Sequence, residues 1–278
     1  QVSYTHLLVE RDGPILYLTM NRPESLNALN HALVEDIRRA VIEVADDAQT
    51  RVVVLAGAGR AWSAGYDLKE EAAEEINGPV RWQQVLAEDV RMTLAVWDCP
   101  KPVIAQVHGY CLAGACELAA MCDITVASED AIFGEPEIRY GSGPVSLILP
   151  YLIGSKKARE LLYTGDTVGA REALALGLVN RVVPRDMLAL ETRALAIKIA
   201  RTPPEIIKLT KGPINRVFEL MGLREAFAAN VDASAMLNGA ELPEQREFDR
   251  IAREQGLKAA LAWRDSRFGE VLARGASS

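Results

Sequence analysis

Metal and disulfide chemistry have little to draw on in this sequence. Its 278 residues include three histidines, His6, His31 and His108, with no H-E-x-x-H or related spacing, so no metal site is expected. The four cysteines, at 99, 111, 116 and 122, form no C-x-x-C pair. They read as small buried hydrophobes in a reducing compartment, the cytoplasm. Positive charge is in deficit: 31 Lys and Arg stand against 38 Asp and Glu, for a net charge of −7. That balance excludes a general nucleic-acid surface, although a small anionic ligand needs only a local positive pocket. No secretory n-region and h-region opens the chain. The longest apolar stretch, 102–127, is broken by His108, Glu117, Asp123 and two glycines, so it reads as two core elements joined by a turn and not as a membrane span. No G-x-G-x-x-G follows the first strand, and there is no phosphate-binding G-x-x-x-x-G-K-[ST]. Ser63 lies in Trp-Ser-Ala-Gly, which is not a nucleophile elbow.

What is present is an ordinary globular composition, 49% hydrophobic and 25% charged, enough for one large domain or a domain with an appendage. Thr5–Glu10 and Ile15–Met20 flank Asp12-Gly13 and predict a hairpin. Apolar spacing predicts helices over 30–47 and 79–98, and buried strands over Val52–Ala56 and Val103–Val107. Short strands follow at Ile124–Ser128 and Ala131–Phe133. Beyond Pro144 helices dominate: 155–164, 170–176, 187–200, 205–216, 223–237 and 244–254, with only Leu178–Val183 extended. The fold class is therefore α/β, with mostly buried strands in the first part. From pattern alone, a doubly wound sheet is the default.

Two acidic residues carry the most chemical information. Glu117 sits three residues after Gly114 in an apolar helical run, where a carboxylate is either expelled to solvent or has a task, because burying it unpaired is costly. Glu135 and Glu137 follow a short strand and read first as a polar turn. Gly65, in Ala61-Trp-Ser-Ala-Gly-Tyr-Asp-Leu-Lys69, and Gly114 each read alone as a tight turn against a sheet. Together they present two peptide N–H groups that converge on one oxygen, with a carboxylate one helical turn away. His108 reads as a hydrogen-bonded structural histidine, Asp123 as a cap or turn, and Arg22 and Lys69 as surface cations.

At this point the sequence resembles the crotonase (enoyl-CoA hydratase/isomerase) superfamily. The matching segments run in order from Leu18-Thr-Met-Asn-Arg-Pro-Glu-Ser-Leu-Asn-Ala-Leu29 through Ala61-Trp-Ser-Ala-Gly-Tyr-Asp-Leu68, Lys101-Pro-Val-Ile-Ala-Gln-Val-His-Gly-Tyr110, Ala113-Gly-Ala-Cys-Glu-Leu118 and Phe133-Gly-Glu-Pro-Glu-Ile138 to Ala173-Leu-Ala-Leu-Gly-Leu-Val-Asn-Arg-Val-Val183. The resemblance replaces the doubly wound default with a crotonase-like spiral of β-β-α repeats in two sheet layers. It implies a spiral core over 1–200 with the site, and a helical C-terminal region, 201–278, that builds homotrimers or homohexamers. It implies that the Tyr66 and Gly114 amides form an oxyanion hole and that Glu117 and Glu137 are catalytic. Arg22, Ala28, Ala64, Asp67, Leu68 and Lys69 fall where relatives hold coenzyme A, and Arg264 or Arg267 is placed to reach a CoA phosphate. CoA enters as part of the thioester substrate; no tightly bound cofactor, nucleic acid or membrane partner is implied.

The implied reaction is addition of water across C2=C3 of a 2-enoyl-CoA. Double-bond isomerisation, thioester hydrolysis and C–C cleavage would use the same hole, but retention of both glutamates favours hydration. A non-catalytic CoA-binding relative or an RNA binder is disfavoured by those glutamates and by the net charge. Three departures from the family pattern stand out. Gly143-Pro-Val-Ser-Leu147 replaces a Pro-Gly-x-Gly-Gly stretch, Ala113-Gly-Ala115 replaces a glycine triplet, and Tyr66 replaces a small residue. The first alters the acyl wall. Trp82, Gln83 and Trp97 on the 79–98 helix are expected to shape that pocket or to pack in the core.

Overall fold

Asp12 and Gly13 turn the chain as predicted. In the computed structural model, which describes residues 3–74 and 76–269, β1 (Leu7–Asp12) and β2 (Ile15–Met20) pair antiparallel with Asp12 opposite Ile15. Gly13 takes φ +56° between them, a conformation that glycine adopts without a Cβ clash. The chain continues through α1 (His31–Val44), β3 (Val52–Gly57), α2 (Leu68–Ala73), α3 (Gly78–Asp98), β4 (Val103–Val107), β5 (Tyr110–Leu112), α4 (Gly114–Met121), β6 (Ile124–Ser128) and β7 (Ile132–Gly134). There follow α5 (Leu149–Leu152), α6 (Ser155–Thr164), β8 (Thr167–Gly169), α7 (Ala170–Ala175) and β9 (Arg181–Val183). The last part is helical: α8 (Leu188–Ala200), α9 (Pro204–Leu220), α10 (Leu223–Gly239), α11 (Pro243–Gln255) and α12 (Leu257–Gly269).

Six strands form one sheet in the order β1-β2-β3-β4-β6-β9, and β5-β7-β8 form a second, smaller one. From β2 onward the pairings in the large sheet are parallel. Its inner strands β3 and β4 are apolar on both sides because each side is covered, whereas the edge strand β1 is largely exposed. Val53, Leu55 and Ala105 face the main core with α1, α3 and α4. The alternate residues Val52, Val54 and Ile104 face Leu188 and Ala196 of α8. α4 has every residue buried, whereas α9 has none.

The sequence did not reveal β5 or β8. Each has three residues and owes its extended form to partners, Tyr110 opposite Ile132 and Phe133 opposite Val168, so neither carries a periodic signal of its own. The strand expected at Ala131–Phe133 lies one residue later, and the extended stretch at 178–183 narrows to β9. His108 bonds the Gly59 carbonyl through Nε2. Asp123 accepts the Val103 amide and pairs with Lys211. The four thiols are free and buried.

Candidate active site

The loop between β3 and α2 is laced on both sides. Ala64 N–H donates to Leu26 O, Leu29 N–H to Gly65 O and Asp67 N–H to Leu29 O. On the other side Trp62 N–H reaches His108 O, and Ser63 N–H reaches Tyr110 O. Buried Asn27 fastens the first of these segments by donating to Ala58 O and Ala61 O. A Cβ on Gly65 would lie 2.7 Å from both the Leu112 carbonyl and the Ala113 Cβ, and the residue has φ +93°. Only glycine lets the 65–66 and 112–114 segments approach this closely.

The result is two orphan amides. Neither Tyr66 N–H nor Gly114 N–H donates to an acceptor among the described residues. Gly114 opens α4, where the first amides lack helical partners and the helix dipole is positive. Ala113, just before it, has φ +53° and ψ −134°, an unusual conformation for a residue with a Cβ. The Tyr66 ring lies against Gly114: a Cβ there would be 2.1 Å from Tyr66 Cε2.

Glu117 does not reach solvent; it is 0% exposed. Its Oε1 accepts Val145 N–H at 2.6 Å and its Oε2 accepts Ser146 N–H at 2.7 Å. Both donors come from the segment where the sequence departs from its relatives. Burial pushes this carboxyl up to about 7, against those two amides, which favour the ionised form. Glu137 stands on a 3-10 turn, Pro136–Tyr140, and its buried Oε2 has no partner. Burial first, and then the negative charge of Glu117, leave this carboxyl well above its ordinary range, against its own backbone amide, which favours the ionised form.

A third carboxyl, unassigned from sequence, joins them. Glu135 is buried with an unpartnered Oε2, and Glu117, Glu135 and Glu137 bring carboxylate oxygens within 4.8 Å of one another. Burial and these two neighbours raise the Glu135 carboxyl strongly. Such an oxygen-only set suits a hard cation or protons. Like charges in a dry site cannot all ionise, so the raised carboxyls mark a proton-holding cluster. The apolar strand β7 running directly into Glu135 was the available signal.

C-terminal helices hold the Glu137 turn. Gln245 of α11 donates to Gly141 O at 2.6 Å, and Phe248 stacks on Tyr140 with centroids 4.3 Å apart. The sequence did not show that role.

A cavity of about 950 Å³ is lined by Tyr66, Ala113 and Glu137, while Glu117, Glu135 and Gly114 are not among its lining residues. Ala28, Ala64, Asp67, Leu68 and Lys69 line one part; Glu137, Trp82 and Leu86 line another. Trp97 instead packs edge-on against Phe218 in the core. Arg22 does not line the cavity. Its guanidinium is bound to Ala28 O and Asp67, and Asp67 caps α2 through Lys69 N–H and Glu70 N–H. Arg22 therefore braces the site loop. Arg264 lines the cavity, while Arg267 pairs with Glu244 at 3.6 Å. Among the described residues no helix is long and apolar enough to cross a membrane.

The enoyl-CoA hydratase/isomerase family model matches residues 10–245. A probable enoyl-CoA hydratase of Mycobacterium tuberculosis is 38% identical over 222 residues, 78% of this chain and 84% of that protein. The short-chain-enoyl-CoA hydratase of Clostridium acetobutylicum is 35% identical over 84% of this chain and 94% of its own length. A crystal structure of an enoyl-CoA hydratase/isomerase from Xanthobacter autotrophicus Py2 superposes with a TM-score of 0.93 at 41% identity, covering 96% of this chain and 99% of that one. Its helical C-terminal region and mixed α/β core are shared here. By sequence over most of its length and by fold, this chain belongs to the enoyl-CoA hydratase/isomerase family of the crotonase superfamily.

Proposed function

We propose that the protein hydrates 2-enoyl-CoA thioesters. The observation that carries this reading is the pairing of two orphan amides, Tyr66 and Gly114, with the buried carboxyls of Glu117 and Glu137. Negative charge develops on the thioester oxygen when C3 is attacked. The two amides receive it, each worth about 3 kcal/mol in comparable sites. Glu117, held ionisable by two amides, takes a proton from water as its oxygen bonds C3. Glu137, the more strongly raised carboxyl, delivers a proton to C2. The cluster gains one proton and loses one, and Glu135 lies within 4.8 Å of both partners to rebalance them.

CoA lies along Ala28, Ala64, Leu68 and Lys69, with Lys69 and Arg264 meeting phosphates. Asp67 belongs to that wall, and Arg22 supports it from behind. No tightly bound cofactor is required. Residues 1–200 form the core with the reacting groups, and 201–278 form the oligomerisation region, which also lends Asn238 and Arg264 to the cavity wall. Support for the latter is the exposed apolar face of α9, where Ile206, Leu209, Ile214, Val217 and Leu220 are 53–74% exposed, as suits a homotrimer or homohexamer. The protein works in the cytoplasm.

Purified protein mixed with 2-hexenoyl-CoA is expected to abolish the enoyl-thioester absorbance without releasing thiol. Thiol release with no hydration would make it a hydrolase.

A further inference from the structure

Position 66 contributes more than an amide. The Tyr66 hydroxyl is buried and has no hydrogen-bond partner, although the ring faces the cavity and lies across Gly114. Asn238 of α10 lines the same cavity, and its Oδ1 is also buried and unpartnered. Glu71 lines it too. Asp89 lies one helical turn beyond the cavity-lining Leu86 on α3, 4% exposed, and receives no hydrogen bond from the described residues. Of the charged groups acting on the Tyr66 hydroxyl, Asp89 is the strongest, ahead of Glu117, Glu71 and Glu137. Burial keeps Asp89 and Glu71 toward their neutral forms, Glu71 up to about 7.

Each unmade buried hydrogen bond is a standing cost, and a hydrocarbon tail cannot relieve it. A hydroxyl can, since it both donates and accepts. We infer that the acyl end of this cavity, through Tyr66 Oη and Asn238 Oδ1 with Asp89 and Glu71 behind them, selects a 2-enoyl group that carries a hydroxyl over a hydrocarbon group of equal size. The inference rests on the hydratase reading for its reaction, and on the cavity alone for its selectivity.

Two isosteric pairs test it at two depths: 5-hydroxy-2-pentenoyl-CoA against 2-hexenoyl-CoA, and 7-hydroxy-2-heptenoyl-CoA against 2-octenoyl-CoA. At one depth the hydroxylated member is expected to have a kcat/KM about tenfold to hundredfold higher, because sites built to bond a hydroxyl reject analogues lacking it. Calorimetric binding of the saturated counterparts, 5-hydroxypentanoyl-CoA against hexanoyl-CoA and 7-hydroxyheptanoyl-CoA against octanoyl-CoA, reads the cavity without turnover and should show the same preference. Tyr66→Phe is expected to reduce the preference to threefold or less, largely by improving the alkyl member. Asn238→Leu, away from the reacting atoms, is expected to shift it in the same direction. A purely structural tyrosine would lower both members alike. Equal or tighter binding of the alkyl members at both depths overturns the polar acyl end. Binding with the expected preference but no hydration overturns the hydratase reading and leaves the cavity's selectivity standing.

Discussion

The segment carrying Glu117 and the segment carrying Glu137 hold a buried carboxyl in different ways. Glu117 rises from a fully buried helix and has an amide on each oxygen, at 2.6 and 2.7 Å. Glu137 rides on a single 3-10 turn with one buried oxygen unpartnered, and that turn depends on α11 for its clamp. Fixed amides favour an ionised carboxylate, the state a base needs. An unpartnered oxygen in a dry site favours the protonated state, the one an acid needs. On the proposed mechanism the difference in packing becomes a division of labour, with Glu135, its carboxyl also raised, beside both.

Removing either carboxyl is the largest test of that division. Glu117→Ala and Glu137→Gln are each expected to lower hydration about 10³-fold, the usual scale for a positioned acid or base. They should separate in a second assay: exchange of the C2 protons of hexanoyl-CoA in D2O. Glu137→Gln should lose it and Glu117→Ala should keep most of it. A Glu137→Gln enzyme with full hydration and full exchange would falsify the assignment of the acid.

Gly114→Ala comes next. Its new Cβ would fall 2.1 Å from the Tyr66 ring, so either the ring or the start of α4 must move. Displacement of one amide is expected to lower kcat about 10²-fold, measured on the enoyl band. The double variant Gly114→Ala/Tyr66→Ala removes the ring and is expected to recover part of the loss. No recovery would place the damage in α4 itself.

The helix-forming and strand-forming patterns were legible because they are local and long. α1, α3, β3 and β4 lie where periodicity predicts them. The residues themselves suggested two amides converging beside a carboxylate, but the pairing of Glu117 with Glu137 came only through family resemblance, since Gly65, Gly114 and Glu117 each have an ordinary reading alone. The role of Arg22 was not legible. Its partners, Ala28 O and Asp67, are 6 and 45 residues away in sequence. Nor was the third carboxyl, because Glu135 in a short Glu-Pro-Glu stretch has the composition of an exposed turn and is buried by tertiary packing. The amides that hold Glu117 come from Val145 and Ser146, 28 and 29 residues on, and no side chain advertises them.

A smaller effect tests the same comparison through pH. The Glu117 carboxyl lies at about 7 in the folded protein against an ordinary 4.5, as does that of Glu71. As a base Glu117 must be ionised, so kcat/KM is expected to fall about tenfold per unit as pH drops below about 7. Stability runs the other way. A carboxyl whose folded value is raised binds its proton more tightly when folded, so its stabilising contribution is full below pH 4.5 and is lost as pH rises through 7. Unfolding free energy is expected to decline between pH 5 and pH 8 by something on the order of 3 kcal/mol for each of these two carboxyls. Asp47, lowered to about 2 by Thr50 and Arg11, acts only in more acidic solution and leaves this window clear. Glu71→Gln should flatten part of the slope in urea melts while the activity limb near 7 stays in place. If the activity limb moves with Glu71, then Glu71 and not Glu117 sets it.

The smallest expected effect concerns strain in the rigid segment. Ala113 holds φ +53° and ψ −134°, a conformation that costs an alanine about 1–3 kcal/mol. It immediately precedes the unpartnered Gly114 amide, so on the proposed mechanism the strain serves the oxyanion hole. Ala113→Gly relieves the strain but adds up to about 1 kcal/mol of backbone freedom to the unfolded chain, and it removes the Cβ that meets Gly65. The balance predicts a gain of about 1 kcal/mol in urea unfolding, with kcat within twofold because the amide keeps its direction. A loss of stability would mean that the contact between Ala113 Cβ and the Gly65 backbone, more than the dihedral angle, holds the two amides together. The hole would then depend on packing at 65 and 113 in the way that the Glu137 turn depends on α11.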